Sequence, residues 1–153
     1  MKFREIAIKA LVLIGAVATC LAFAVPATSA RSSKPPVFWI DLSGTAQQHP
    51  DFVFFSATAG SQVNHLKWTG WGKNRAVGRG HYYVTSPPIP GEKNPEGAAR
   101  IVVWKPVKCV PDFGNREGKT IHIYKHARML RPVSGGGRKW VDISAFAGAA
   151  TCR

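Results

Sequence analysis

LKWTGWGKNRAVGRGHYYV, Leu66 to Val84, sets two tryptophans three residues apart, then places small residues at alternate positions with cations between them. Read as a strand, it puts Ala76, Gly78, Gly80 and Tyr82 on one face and Arg75, Val77, Arg79, His81 and Tyr83 on the other. Three small residues in a row leave a smooth trough of backbone, and glycine weakens a strand unless something lies close over it. Trp68 and Trp71 are the rings at hand, since an aromatic laid over strand glycines restores the lost burial. Trp68, Trp71, Ala76, Gly78 and Gly80 are therefore expected to pack together. On the other face, Lys73, Arg75, Arg79 and His81, with Tyr83 beside them, form a cationic strip suited to an anionic polymer. A tryptophan turned outward would add a stacking platform for bases or sugars.

Outward from this stretch lie short segments rich in β-branched and aromatic residues. They are Val37–Leu42, Phe52–Ala57, Val63–Trp68, Ala76–Thr85, Ala99–Lys105, Thr120–Leu130 and Lys139–Phe146. Turn chemistry separates them at Gly44, Pro50, Gly60, Pro87–Gly97, Pro111–Gly118 and Ser134–Gly137. Seven short strands without a long 3.6-residue period predict an all-β single domain, a small sandwich or barrel. Ser144–Ala150 has the composition of a helical turn as well, with Gly148 against it. Pro87–Gly97 is the clearest long loop, a place where binding residues often sit.

The chain opens with Lys2, Arg4 and Lys9, an uncharged apolar run from Ala10 to Val25, and small residues from Ala27 to Ala30. This is the layout of a secretory signal peptide cleaved after Ala30. Residues 31–36 then form a flexible lead-in and 37–153 the β domain. An uncleaved anchor is the competing reading, because the run approaches the ~17 residues at the short end of a membrane span. Pro26 and the small residues behind it favour cleavage, which leaves no stable span. Thr19 before Cys20, and the apolar run after it, argue against lipidation.

Cleavage removes three of the 21 Lys and Arg and one of the 8 Asp and Glu, leaving 18 against 7, a net +11. Such a charge favours nucleic acid, acidic polysaccharide, wall polymers or anionic headgroups as partners, or simply keeps an exported protein soluble. Two cysteines remain, Cys109 and Cys152, and an even count in an exported chain predicts a disulfide.

The pattern Trp68-x-x-Trp71-Gly72-x-x-x-Ala76-x-Gly78-x-Gly80, followed by Arg100–Pro106 and Cys109, resembles a group of small secreted actinobacterial proteins of unknown function. The likeness runs over roughly Leu66 to Arg131. It implies export and a compact β domain, and it lends no catalytic residue.

Motifs for other chemistry are missing. His122 and His126 share a predicted strand face with Tyr124 and Arg128, a secondary strip, while Ile121, Ile123, Ala127 and Met129 face the core. Four residues along a strand is about 13 Å, too far for neighbouring ligands of one metal. No metal and no cofactor is expected. Ile40–Thr45 has a faint likeness to an aspartic-protease loop, interrupted by Leu42 and without a second copy. Ser134–Lys139 lacks the spacing of a phosphate loop, and no serine sits in a nucleophile elbow. The expected protein is a secreted, non-enzymatic β domain that binds an anionic envelope polymer or surface. The alternative is an inhibitor or effector that engages a protein partner through Pro87–Gly97. A wall or nucleic-acid hydrolase is the third class, with no motif behind it.

Overall fold

The computed structural model describes residues 34–56, 60–85 and 93–152. Within them the sequence folds as one curled sheet, a half-barrel, with almost no helix. The strands are β1 (Val37–Ile40), β2 (Ala46–Gln47), β3 (Val53–Phe54), β4 (Ser61–Thr69), β5 (Arg75–Val84), β6 (Gly97–Cys109), β7 (Ile121–Pro132) and β8 (Arg138–Asp142). Their order is β2-β1-β7-β6-β5-β4-β3. One edge of β7 is shared: β1 runs parallel along His122 and Ile123, and β8 antiparallel along Arg128–Pro132. All other pairings are antiparallel.

The stretch 66–84 is the hairpin β4–β5, and its glycines are where β4 comes closest. Trp68 stands opposite Gly78. A Cβ on Gly78 would lie 3.0 Å from the Trp68 ring, and one on Gly80 would lie 2.5 Å from the Asn64 carbonyl oxygen. The trough is therefore filled, but by Trp68, Leu66 and Val63 rather than by both tryptophans. Trp71 stands off it, edge-on to Trp68 at 4.7 Å and to Tyr124 at 5.4 Å between ring centroids. Both indoles are tied inward: Trp68 Nε1–H donates to the Pro50 carbonyl and Trp71 Nε1–H to that of Val37. A bulge at His65–Leu66 adds one residue to β4, with His65 at φ 53°. It keeps Val63, Leu66 and Trp68 all on the packed side despite their uneven spacing.

Apolar residues gather in two clusters on opposite faces. The main core holds Val37, Trp39, Val63, Leu66, Ala76, Tyr82, Ile101, Val103, Tyr124, Ala127 and Met129, among others. The second holds Phe38, Ile40, Ala46, Cys109, Ile121 and Ile123, with Val107 and Cys152 against it. β6 and β7 change sides together. Ile101 and Val103 face the main core while Val107 and Cys109 face the second, although all four have the same parity. Ala127 and Met129 differ from Ile121 and Ile123 in the same way. The inversion falls at Lys105, which has φ 61° and donates its N–H to the Asn74 carbonyl at the end of the β4–β5 turn.

This inversion moves a residue that strand alternation places outside. Tyr124 is buried in the main core, not exposed beside His126 and Arg128. Its hydroxyl accepts from the Gly72 N–H (2.9 Å) and donates to the Lys73 carbonyl (3.1 Å), pinning the turn between β4 and β5.

β8 also ends earlier than the expected strand Lys139–Phe146. Asp142 Oδ1 accepts the Ser144 N–H, and Ser144–Ala147 becomes a 3-10 helix. The Ile143 N–H still donates to the Ala127 carbonyl, and the Ser144 hydroxyl then accepts the Ala127 N–H in place of a strand carbonyl. Gly148 follows at φ 94° with no room for a Cβ against Ile40. The turn brings Cys152 back to Cys109, 43 residues earlier, in a disulfide. Closing a loop of that length stabilises the fold by about 4 kcal/mol in the loop-entropy account.

Burial pushes the Tyr124 phenol above its ordinary value of about 10, and the Gly72 N–H partly offsets this. The unfolded phenol thus ionises first, and stability falls as pH rises past 10 towards the folded value. Tyr124→Phe is expected to lower the unfolding free energy at pH 7 by about 1–3 kcal/mol. It should also flatten the loss of stability above pH 10, as read by urea denaturation across pH.

Candidate functional site

Strand pairing turns the outer side of β4–β8 into rows that can be read across the sheet. One row runs Arg75, Trp104, His126. The next runs Thr69, Val77, Val102, Arg128, Asp142. The third runs Lys67, Arg79, Arg100, Leu130, Trp140. His81 stands opposite Ala98 one row further on. Neighbouring strands are about 4.8 Å apart, so residues within a row are immediate neighbours. Val102 lies at the centre with 2 % of its surface exposed, yet belongs to neither core cluster. It is the floor beneath the side chains around it.

Those side chains form a ladder of alternating cations and rings. Arg100 lies over the Trp140 ring at 5.1 Å, and Arg128 lies over the same ring at 4.4 Å and over Trp104 at 5.9 Å. The His126 ring stacks on Trp104 at 5.2 Å. Each guanidinium is drawn to the negative face of an indole, which fixes its plane while its N–H edges stay free to bond outward. At the far end, Arg138 reaches back from β8, and its Nη2 donates to the Ala98 carbonyl at 2.7 Å. Arg79, Arg100 and Arg138 line one depression of about 280 Å³ with Gly80, Ala98, Ala99 and Leu130.

Negative charge is scarce here. Lys67 pairs with Asp51 at 3.7 Å, both well exposed, and among the described residues no arginine of this face has a carboxylate within ion-pair distance. Asp142, at the edge of the Arg128 row, is engaged by Ser144. The Ser144 N–H, then its hydroxyl, hold the carboxyl below the ordinary carboxylate range, and His126 adds to this.

Of the expected cationic strip, Arg75, Arg79, His81 and Tyr83 share the outer side of β5, with the arginines and His81 exposed. Lys73 is off the strand, exposed in the turn that Tyr124 pins. The secondary strip divides. His126 and Arg128 join the outer face, whereas Tyr124 is buried, and His122 lies beyond the inversion on the Tyr124 side. Trp104, Trp140, Arg100 and Arg138 complete the face without having been singled out from the sequence. The signal present there was alternation in Arg100-x-Val102-x-Trp104, which gives the spacing but not the neighbours. Of the Pro87–Gly97 loop, residues 87–92 lie outside the described residues, as does the leader, residues 1–30.

Among the described residues, no three His, Cys, Asp or Glu are grouped so as to hold a metal ion. No helix among them is long and apolar enough to cross a membrane. Because Trp140 orients two arginines, Trp140→Ala is expected to lower stability by about 1–2 kcal/mol. In the same variant the Arg100 and Arg128 side-chain resonances should lose their ring-current shifts in NMR spectra. Compared with family models, with curated proteins and with solved structures, the chain matches none.

Proposed function

We propose that this is an exported, non-enzymatic β domain that binds an anionic polymer of the cell envelope, or a surface that carries one. The observation behind this reading is the outer face itself. Arg75, Arg79, Arg100, Arg128 and Arg138 lie on one exposed side of adjoining strands, with no carboxylate paired to them among the described residues. A soluble domain has no need to concentrate one sign on one face, since mixed charges keep a surface soluble equally well. An extended run of cations suits a partner that repeats its negative charge. Export follows from the charged, apolar and small-residue layout of residues 1–30, and it agrees with the disulfide and with the resemblance to small secreted actinobacterial proteins.

A binding role fits an open face better than catalysis does. The cations spread across an open sheet surface, and the carboxylates beside it among the described residues, Asp142 and Asp51, are committed to Ser144 and Lys67. Binding by such a face releases counterions, so affinity should fall steeply with salt. On immobilised wall polymer or acidic glycan, Arg75→Gln combined with Arg128→Gln is expected to weaken retention. It should also lower the slope of log affinity against log salt by about 1 per arginine. Lys108→Gln with Lys119→Gln removes the same charge away from the face and should leave retention nearly intact. Equal loss in the two double variants would make the charge a bulk property and sink the reading.

A further inference from the structure

We infer that the depression between Arg79, Arg100 and Arg138 is a subsite for one tetrahedral oxyanion, the phosphate or sulfate ester group of a polymer. This deepens the polyanion reading and rests on it. The first ground is an uncompensated row. Lys67, Arg79 and Arg100 stand directly opposite one another on three adjacent strands. Like charges in cross-strand register destabilise a sheet. Lys67 has Asp51 beside it, but Arg79 and Arg100 have no carboxylate within ion-pair distance among the described residues. A bound anion is the missing partner in that row.

The second ground is how the guanidiniums are held. Arg100 is fixed over Trp140, and Arg138 is anchored by its bond to the Ala98 carbonyl, which crosses β7 to reach the end of β6. Arg79 faces Arg100 across the depression. Arginines from β5, β6 and β8 thus line one depression. A carboxylate offers two coplanar oxygens and is satisfied by one fork, whereas a tetrahedral oxyanion offers oxygens to forks from several sides.

The third ground is size. Small residues, Gly80, Ala98 and Ala99, line the dent, and its 280 Å³ falls just below the ~300–1,000 Å³ of sites that enclose a whole small molecule. It takes a group, with the rest of the chain lying along the open face. Base stacking would compete with contacts this face already makes, because His126 stacks on Trp104 and Arg100 and Arg128 lie over Trp140, whose surface stays 37 % exposed. A phosphate polymer without bases should therefore bind as well, per phosphate, as single-stranded DNA.

The purified protein would be titrated with inorganic phosphate, sulfate and acetate at constant ionic strength, by calorimetry and by thermal midpoint. Phosphate and sulfate should each bind once and raise the midpoint saturably, with acetate at least tenfold weaker. Arg79→Gln with Arg100→Gln should lose this binding tenfold or more, and Arg75→Gln should keep it. The double variant also separates binding from the general stabilisation that sulfate gives any protein by exclusion. Poly(glycerol phosphate), a sulfated glycan and single-stranded DNA, used as competitors, distinguish the ester sources. Acetate equal to phosphate, a double variant that binds like the parent, or DNA more than tenfold tighter per phosphate would each overturn the subsite. If the double variant binds phosphate like the parent while polymer retention stays salt-sensitive, the subsite falls and the polymer reading stands. If the parent binds phosphate but is retained on no polymer, the polymer reading falls instead.

Discussion

The close seating of β4 on β5 is the constraint on which the rest of the sheet depends. With no side chain at Gly78 and Gly80, the Trp68 ring and the Asn64 backbone settle where a Cβ would otherwise stand. Trp68 is then deep enough to donate to the Pro50 carbonyl, and Trp71, edge-on to it, reaches that of Val37. Those two bonds tie the hairpin to the chain before β3 and to β1, at the opposite end of the strand order. A side chain at either glycine would lift β4 and break both ties together. The sheet curls because its edges are drawn together from inside.

A sheet closed in this way has one side free. Inside, the alternate positions of β5, β6 and β7 are filled by Ala76, Tyr82, Ile101, Val103, Ala127 and Met129. Outside, the same strands carry neither core cluster, so side chains there are free of the interior's packing and are held only by one another. That freedom permits a charged face but does not produce one. Lys67, Arg79 and Arg100 in register are opposed by their own repulsion, so interior packing cannot account for the row.

Strand alternation was enough to read β5 correctly. Arg75, Val77, Arg79, His81 and Tyr83 do lie opposite Ala76, Gly78, Gly80 and Tyr82, because nothing interrupts the two-residue period there. The all-β class and the Cys109–Cys152 bridge were legible for similarly local reasons, in turn residues and in an even cysteine count. Tyr124 was misplaced because the period breaks at the Lys105 level of the sheet, and a positive φ at a lysine leaves no mark in the sequence. The role of Trp140 was invisible for a different reason. β7 gives half an edge to β1 and half to β8, so Trp140 meets Arg100 through Leu130 only once the strand order is known. The strand expected to continue to Phe146 stopped at Asp142 because its carboxylate and the Ser144 hydroxyl offer the backbone other hydrogen bonds.

The distribution of the two cation types separates bulk charge from a built face. For solubility, lysine and arginine are interchangeable. Here arginine predominates on the face, where the third row also carries Lys67 beside Asp51. Lys73 and Lys119 lie in turns, Lys105 and Lys125 at the level where the sheet inverts, and Lys139 on the last strand. The outer positions of β5, β6 and β7 beside the two exposed-face tryptophans carry Arg75, Arg79, Arg100 and Arg128. A guanidinium lies flat on an indole and keeps its donors in a fixed fork, while an ammonium in the same place would keep its water and its freedom. Part of the ordering that a ligand would impose is already done by the rings, which lowers the entropy lost on binding. Arginine on tryptophan is thus what separates this face from the rest of a uniformly basic surface.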